Sequence, residues 1–286
     1  MTTLISWITY DQRGPASLYI ASDSRFSWGN STYWDSGRKI YFSNKYPDIF
    51  GFCGDVMFCS QIMSQITSYI DACHVFEHTT SSDSRFDLIY NLVKRSFGDY
   101  PLKFSLKNFQ ILYATREKKR CFHIYLIEWI KNEDINKMWK KRKITLPTKT
   151  GIIESLGTGG ELYRKHYIDN YKSSEIGEFS RSYYSALSSH IESGLDNLTG
   201  GSIQLAGLFN VGSAKAHGVI KNNRRYIYGM EVDAHERINN IRWVNDQFEN
   251  CDGNNARRFL SAQIQPLPRN INNPLGKGTK KIHLPR

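Results

Sequence analysis

Two groups near the start of the chain could do chemistry together: the hydroxyl of Thr2 and, if Met1 is removed, the α-amine of the same residue. An amine beside a hydroxyl can act as its base, which is one recognised way to make a threonine oxygen nucleophilic. An apolar stretch typical of a strand, 4–10, follows directly. Because many proteins begin Met-Thr without such chemistry, other residues must support this interpretation.

An N-terminal threonine needs a cation to lower the pKa of its hydroxyl and amine, a carboxylate to hold that cation, and backbone N–H groups that face an oxyanion. Asp23 ends the second predicted strand, and Lys39 begins the third. Gly54 lies between a strand and a helix, so its amide is near a helix N-terminus, which favours negative charge. Taken singly, Asp23 could simply cap a turn and Lys39 could be a surface lysine.

A competing motif lies at 74–78, where the sequence His-Val-Phe-Glu-His matches the His-x-x-Glu-His pattern of inverted zinc peptidases. Polar residues are expected there anyway, because the first predicted helix ends at this point, and spacing identifies no third ligand. Cys121 and His123 share a strand face, but two ligands do not make a site. We therefore expect no metal and no organic cofactor.

The elements that must position these residues follow from the periodicity of the apolar side chains. The order of strands, two helices, strands, two helices and strands predicts an α+β fold, with two antiparallel sheets face to face and helices outside. The predicted strands are 3–10, 18–22, 39–43, 49–54, 109–115, 121–130, 152–156, 202–211 and 225–232, and the predicted helices are 56–73, 86–97, 161–172 and 179–196.

The chain divides into one large domain and two C-terminal segments. The domain covers 2–232 and includes a basic stretch at 131–149 that we expect to be an exposed insertion. Residues 233–264 form an extension, in which 238–259 is expected to contain a helix and a loop around 252–255. The final segment, 265–286, is rich in Pro, Gly, Asn and Lys and is expected to be a basic, flexible tail that is extended or disordered unless it docks.

Composition limits the classes of function. Residues 253–286 hold seven positive charges and no acidic residue, which leaves only +4 of the net +11 on the rest of the chain. Because neither an aromatic-lined groove nor a recognition helix accompanies the charge, nucleic-acid binding is disfavoured. The five cysteines are unpaired in spacing, no signal-peptide pattern is present, and no apolar run approaches the ~20 residues of a membrane span. We expect a cytoplasmic location and no membrane contact.

The chain resembles the proteasome β-subunits and the related bacterial heat-shock peptidase, which are N-terminal nucleophile hydrolases of four-layer αββα fold. No single motif is specific, but six occur in the right order over 2–232. They are Thr2-Thr3, Ala21-Ser22-Asp23-Ser24-Arg25, Lys39, Gly51-Phe52-Cys53-Gly54, Gly157-Thr158-Gly159 and Asp196-Asn197-Leu198-Thr199-Gly200-Gly201.

The resemblance implies a threonine-type endopeptidase that uses no cofactor. It makes Thr2 the nucleophile, has Asp23 orient Lys39, which lowers the hydroxyl pKa, and gives the oxyanion hole to the amide of Gly54. It also implies that Thr158, Asp196 and Thr199 form hydrogen bonds around the α-amine and keep it in place. The chain departs from the family pattern in three ways: threonine replaces the usual serine at 158 and 199, Asp55 stands where a second glycine is common, and the spacing from Thr2 to Asp23 is longer.

The resemblance also implies what the site binds and how the chain assembles. The side chain before the cleaved bond would contact Phe26, Gly37, Tyr41, Phe52 and Val56. Substrates would be peptides or unfolded proteins, and the chains would form a homo-oligomeric ring. An ATP-dependent unfoldase is a possible partner of this ring. Two alternatives stay open: an amidase of the same superfamily that acts on small molecules, and a catalytically silent, proteasome-like scaffold that binds partners.

Overall fold

A computed structural model describes residues 2–29, 32–73, 76, 81–101, 107–132, 134, 137–233, 235–238 and 241–264. The helices and strands of these residues are, in chain order, β1 (Leu4–Asp11), β2 (Gly14–Ser22), β3 (Phe26–Trp28), β4 (Thr32–Trp34), β5 (Ile40–Phe42), β6 (Asp48–Gly54), α1 (Val56–Ala72), α2 (Ser82–Asp99), β7 (Phe109–Lys118), β8 (Cys121–Trp129), β9 (Trp139–Lys143), β10 (Gly151–Leu156), α3 (Gly160–Asn170), α4 (Ser180–Ser193), β11 (Gln204–Phe209), β12 (Lys215–Lys221), β13 (Arg224–Ile227), β14 (Met230–Val232), β15 (Arg242–Val244) and β16 (Asn250–Cys251).

The first sheet carries the start of the chain near its centre. Its strands follow the order β10-β1-β2-β11-β12-β13-β14, and all of these neighbours are antiparallel. The C-terminal segment joins the same sheet, because β15 pairs parallel with β12 and antiparallel with β16. Strand β1 is therefore covered on both edges, by β10 and by β2.

The second sheet has the order β5-β6-β7-β8-β9, again with antiparallel neighbours. Its edge strand β9 comes from the 131–149 stretch, which thus contributes to the sheet while most of the side chains of β9 stay exposed. Trp139 anchors this edge, since its ring lies 5.3 Å from that of Phe97 in α2. A separate two-stranded hairpin, β3-β4, connects the two sheets along the chain.

Three large clusters of buried apolar side chains hold the sheets and helices together, and a smaller fourth one surrounds Trp243. One of them joins the two sheets, with Leu4 and Ile20 from the first and Leu112 from the second. Another joins α1 and α2 to the second sheet, and a third joins α3 and α4 to the first. Because burying a Leu or Ile side chain contributes roughly 1.5–3 kcal/mol, these clusters supply most of the driving force for folding. The chain is a mixed fold of the α+β class, as its sequence predicts.

Helix α1 shows how local sequence sets the element boundaries. Asp55 has extended backbone angles, and its carboxylate accepts the N–H of Phe58 at 3.0 Å, which is an N-cap. The buried residues that follow recur at steps of three and four, so one face of the helix meets the second sheet. They are Phe58, Cys59, Ile62, Met63, Ile66, Thr67 and Ile70.

The structure corrects the prediction for the C-terminal extension. Within 241–259 the described residues form no helix; they form β15 and β16, joined by a turn. Trp243 explains the difference, because its buried side chain packs beside Ile220 and Cys251 while its backbone pairs with Gly218 of β12. The predicted loop at 252–255 is confirmed as a turn over 253–255. The predicted tail, 265–286, lies outside the described residues.

The His-Val-Phe-Glu-His motif also lies almost wholly outside them, since only Phe76 of 74–78 is described. No helix among the described residues is both long enough and apolar enough to cross a bilayer.

Candidate active site

The order of the strands brings together residues that are far apart in sequence. Leu4 at the start of β1 pairs with Ser22 at the end of β2 and with Leu156 at the end of β10. Gln204, the first residue of β11, in turn pairs with Ser22. Because antiparallel neighbours run in opposite directions, the loops after β2, after β10 and before β11 all meet where β1 begins. Thr2 and Thr3 lie at this meeting point.

Asp23 is the centre of the hydrogen bonding there, and its side chain is fully buried. One carboxylate oxygen accepts the N–H of Thr3 at 3.0 Å and the ammonium of Lys39 at 2.8 Å. The other oxygen accepts the backbone N–H groups of Arg25 and Gly200, each at 3.1 Å. With four donors, this buried carboxylate is well satisfied. It ties the start of β1 to the loops before β3, β5 and β11.

Lys39 is equally buried, with no exposed side-chain surface. Burial lowers the pKa of Lys39, and the adjacent carboxylate of Asp23 opposes this change by favouring the ammonium form. The backbone of Lys39 is held by Gln204, whose side-chain oxygen accepts its N–H at 2.9 Å. The predicted Asp23–Lys39 contact is thus present. Asp23 also binds the N–H of Thr3, the residue that follows Thr2.

A second chain of hydrogen bonds runs through the hydroxyl groups. Thr199 donates to the carboxylate of Asp196 at 2.6 Å, and its hydroxyl oxygen lies 2.8 Å from that of Thr3. Gly159 leaves room for this arrangement, since a Cβ there would lie 1.9 Å from the Thr3 hydroxyl oxygen. Asp196 and Thr199 therefore reach the side chain of Thr3, and their predicted contact with the α-amine of Thr2 stays a prediction.

Thr2 lines a pocket from an almost fully buried position, with 3 % of its surface exposed. Its carbonyl accepts the N–H of Gly159 at 3.3 Å, and a Cβ at Gly157 would lie 2.0 Å from the same oxygen. The pocket has a volume of about 600 Å³ and is largely apolar, and Gly54 and Thr158 line it together with Thr2. The remaining lining residues are Cys53, Lys107, Asn108, Phe109, Gln110, Ile130 and Gly157.

Gly54 has a backbone that only glycine adopts without strain. Its φ is +100°, and a Cβ there would lie 2.0 Å from the carbonyl oxygen of Asn108. The carboxylate of the next residue, Asp55, caps α1 and also accepts the N–H of Lys107 at 3.3 Å. The departure from the family pattern at Asp55 thus serves the start of the helix.

Cys53 offers a second nucleophilic atom type in the same pocket, but it is held as a thiol. Burial raises the pKa of Cys53 to about 12, and the positive charge of Lys39 opposes this shift without reversing it. At neutral pH the sulfur is therefore protonated and a poor nucleophile. The hydroxyl of Thr2 is the other nucleophilic group that lines the pocket, and the next residue, Thr3, is bound through its N–H to the Asp23–Lys39 pair.

The five residues predicted to contact the side chain before the cleaved bond are not among those that line this pocket. Phe26, Tyr41 and Phe52 are buried in the cluster beneath α1, with Val56 packed against it. The ring of Phe26 lies directly over Gly37, where a Cβ would approach it to 2.5 Å. None of the five residues therefore forms part of the wall of the Thr2 pocket, and Phe26 packs on Gly37.

Sequence reasoning missed two residues that organise the site. Gln204 accepts the backbone N–H of Lys39 and donates to the carbonyl of Gly37 at 2.6 Å and to the hydroxyl of Ser24 at 3.0 Å. Thr3 links the Asp23 and Asp196 networks through its N–H and its hydroxyl. The signal for Gln204 was present, because it is a buried amide at the head of an apolar strand.

Searches of models of known protein families and of curated proteins give no match to this sequence. The family resemblance therefore rests on the six sequence motifs alone.

Proposed function

We propose that the chain is an N-terminal threonine peptidase, in which removal of Met1 makes Thr2 the terminal residue. One observation supports this most: Thr2 shares the wall of a pocket of about 600 Å³ with Gly54 and Thr158, while the fully buried Lys39–Asp23 pair is anchored one residue away on the N–H of Thr3. A fully buried lysine–aspartate pair at the start of β1 is expensive to maintain, and ionisable groups with shifted pKa values concentrate at functional sites.

The proposed reaction uses the protein's own groups. The hydroxyl oxygen of Thr2 attacks the carbonyl carbon of the substrate while the α-amine, acting through a water, takes the hydroxyl proton. The N–H of Gly54 stabilises the oxyanion. The bond to the leaving nitrogen then breaks as that nitrogen receives the proton, which leaves an ester on Thr2. Water hydrolyses this ester and restores the hydroxyl.

The proposal extends to the fold and the assembly. The three apolar clusters are those expected of the four-layer αββα arrangement of N-terminal nucleophile hydrolases, with the two sheets inside and one helix pair on each outer face. We further propose cytoplasmic peptides or unfolded proteins as substrates, a ring of identical chains, and an ATP-dependent unfoldase as a partner to test for. These points rest on the family resemblance.

A second candidate is favoured by the packing of Phe26. Because its ring fills the space over Gly37, a peptide with a large side chain before the scissile bond would have to displace it. Small amides would not. An amidase that acts on small molecules is therefore the alternative, and it uses the same Thr2 chemistry.

The decisive experiment combines intact mass with turnover. The purified chain is measured by mass spectrometry with and without an epoxyketone, which needs both a hydroxyl and a free α-amine on one residue to react. Loss of Met1 and addition of one inhibitor are expected. Turnover of an unfolded protein, fluorogenic peptides and a panel of small amides is then compared in the original chain, in Thr2→Ser and in Thr2→Ala.

Thr2→Ser keeps the hydroxyl and is the matched control, so it should retain both labelling and turnover, whereas Thr2→Ala should lose both. Retention of Met1, or equal turnover by Thr2→Ala, would overturn the mechanism. Turnover of amides without turnover of peptides would select the amidase. A processed chain with neither labelling nor turnover would identify a silent scaffold.

A further inference from the structure

Three side chains of metal-binding type converge at the tip of the β7-β8 hairpin, on the second sheet. The sulfur of Cys121 lies 3.2 Å from Nε2 of His123, and Oε2 of Glu117 lies 3.6 Å from the same nitrogen. The distance from the sulfur to that carboxylate oxygen is 4.0 Å. Each residue thus presents one potential ligand atom to a common point.

The hairpin geometry explains why these residues meet. Cys121 and His123 are two apart on β8, so they share a face. His123 lies opposite Thr115 of β7, and the register shifts between Arg116 and Lys118. A bulge of this kind places an extra residue on one strand and re-aims its side chain. Glu117 is two residues from Thr115, so alternation along β7 places it on the face of His123 and Cys121, and the shift leaves it as the extra residue between two paired ones.

Neighbouring groups hold these side chains in place. The backbone N–H of Ser82, the first residue of α2, donates to Oε1 of Glu117 and leaves Oε2 to face the cluster. The ring of His123 stacks at 6.5 Å on that of Tyr125, whose hydroxyl donates to Ser82 at 2.7 Å. The turn itself is fixed by Arg120, which binds the carboxylate of Asp11 through two nitrogens. Such outer contacts are what orient metal ligands.

The contacts do not fit a catalytic triad. A triad uses the two ring nitrogens separately, one toward the nucleophile and the other toward the carboxylate. Here the sulfur of Cys121 and the oxygen of Glu117 both approach Nε2 of His123. Convergence of three potential donors on one point is instead the geometry of ligands around a cation.

The donor atoms and their spacing favour zinc. Thiolate, imidazole and carboxylate are its usual protein ligands, and bonds of about 2.0–2.3 Å at tetrahedral angles separate ligand atoms by about 3.3–3.7 Å. The separation of 3.6 Å falls within that range, and those of 3.2 and 4.0 Å lie just below and above it. A thiolate and a carboxylate would also neutralise the charge of the ion.

One nearby group opposes a cation, and it is already paired. Lys143 interacts electrostatically with His123, but its ammonium donates to both carboxylate oxygens of Asp83 at 3.0 Å. The site is also reachable from solvent, since the side chains of His123 and Glu117 are 19 % and 26 % exposed.

We propose that Glu117, Cys121 and His123 bind a zinc ion, with the fourth coordination position open to water or to a ligand from another molecule. Two ligands in the sequence were too few to indicate this site, and the pairing of β7 with β8 supplies the third, Glu117. Zinc binding here is independent of the chemistry at Thr2, so the two proposals can fail separately.

The test is metal binding by the full chain after treatment with a chelator and a thiol reductant. Zinc affinity is measured by competition with a chromophoric chelator, and cobalt is added in parallel because thiolate ligation produces a near-ultraviolet charge-transfer band. We expect one zinc ion per chain and a cobalt–thiolate band. Cys121→Ser should abolish the band, and Cys121→Ser, His123→Gln and Glu117→Gln should each weaken zinc binding at least about 100-fold, which exceeds the usual loss for an outer contact.

Two matched controls make the result specific. Cys73→Ser removes an exposed free cysteine outside the cluster and should change neither affinity nor band. The double variant His74→Gln/His78→Gln removes both histidines of the 74–78 motif and should also bind zinc normally. Absence of a cobalt–thiolate band in the original chain, its persistence in Cys121→Ser, or loss of zinc only in the double variant would each overturn the proposal. Circular dichroism confirms that every variant is folded.

Discussion

Two clusters of polar side chains differ in how their polar atoms are satisfied. The cluster at the start of β1 combines carboxylates with a lysine and hydroxyl groups, and the cluster at the β7-β8 hairpin combines a carboxylate with a thiol and an imidazole. At the start of β1, Asp23 is fully buried and accepts four hydrogen bonds, one of them from Lys39. At the tip of the β7-β8 hairpin, Glu117 accepts one backbone N–H and turns its other oxygen toward a sulfur and an imidazole nitrogen.

The difference concerns the balance of charge. The Asp23 cluster contains its own cation, so it is complete as folded and can orient neighbouring groups. The Glu117 cluster gathers groups that donate electron pairs around one point, and the described cation that acts on it, Lys143, is paired with Asp83 instead. We infer that a self-compensated cluster positions reactive groups, whereas a convergent, uncompensated one binds an ion. Four changes test this comparison.

The largest effect is expected for Asp23→Asn, which leaves Lys39 as a buried charge without its partner. Breaking a buried pair in this way costs about 3–5 kcal/mol, so the free energy of unfolding should fall by that amount in urea. Asp35→Asn is the matched control, because the Arg25–Asp35 pair is partly exposed and should contribute less than about 1 kcal/mol. Equal losses in the two variants would remove the distinction between the clusters.

Gly159→Ala should lower the free energy of unfolding by about 2–3 kcal/mol, because its Cβ would overlap the hydroxyl of Thr3 and disrupt the hydrogen bond between Thr3 and Thr199. Gly98→Ala is the control: nothing lies within 4 Å of its Cβ position near the end of α2, and alanine there should stabilise the helix by up to about 1 kcal/mol. Denaturant midpoints measure both. A neutral Gly159→Ala would show that the network tolerates displacement.

Thr199→Val keeps the shape of the side chain and removes the hydroxyl between Thr3 and Asp196. Leaving the Asp196 carboxylate and the Thr3 hydroxyl short of a partner should cost about 1–2 kcal/mol. Thr199→Ser restores the hydroxyl and should recover most of that loss. If serine and valine behave alike in chemical denaturation, the methyl group of Thr199 matters and the hydroxyl does not.

The smallest effect on stability is expected at the hairpin. Without metal, Glu117→Gln should change the free energy of unfolding by less than about 0.5 kcal/mol, because the side chain is partly exposed and makes no buried ion pair. With zinc added, the original chain should melt at a higher temperature and Glu117→Gln should not, since a ligand stabilises only the state that binds it. A large loss in the metal-free variant would assign Glu117 a purely structural role.

Most of the strands and helices up to Val232 could be predicted, because their apolar residues repeat with clear periods. Strand β12 was not predicted, because glycine and charged residues interrupt its apolar run. It forms through pairing with three other strands, β11, β13 and β15. Strands β3 and β4 are too short to show alternation, and their exposed aromatic residues give no core pattern. In these cases tertiary contacts override a weak local signal.

The candidate site was predictable to a similar degree. The residue types around Thr2 and their order indicated that Asp23 and Lys39 would meet, and they do. The sequence could not show that Phe26 would fold onto Gly37, because this depends on how the β3-β4 hairpin docks. Nor could it show the third ligand beside His123, because the residues of β7 that lie opposite β8 are fixed by the register between the two strands.

The pairing of β15 with β12 has a consequence for the way the chain reaches its native state. β11 and β15 both pair with His217, and they lie on opposite edges of β12. β12 leaves the ribosome well before β15. The edge of β12 that will pair with β15 is therefore unpaired while the rest of the sheet forms. Such an edge is a template for association with other chains. Pairing of β15 with β12 therefore competes with the association of a neighbouring molecule, and a chain shortened before Arg242 should aggregate.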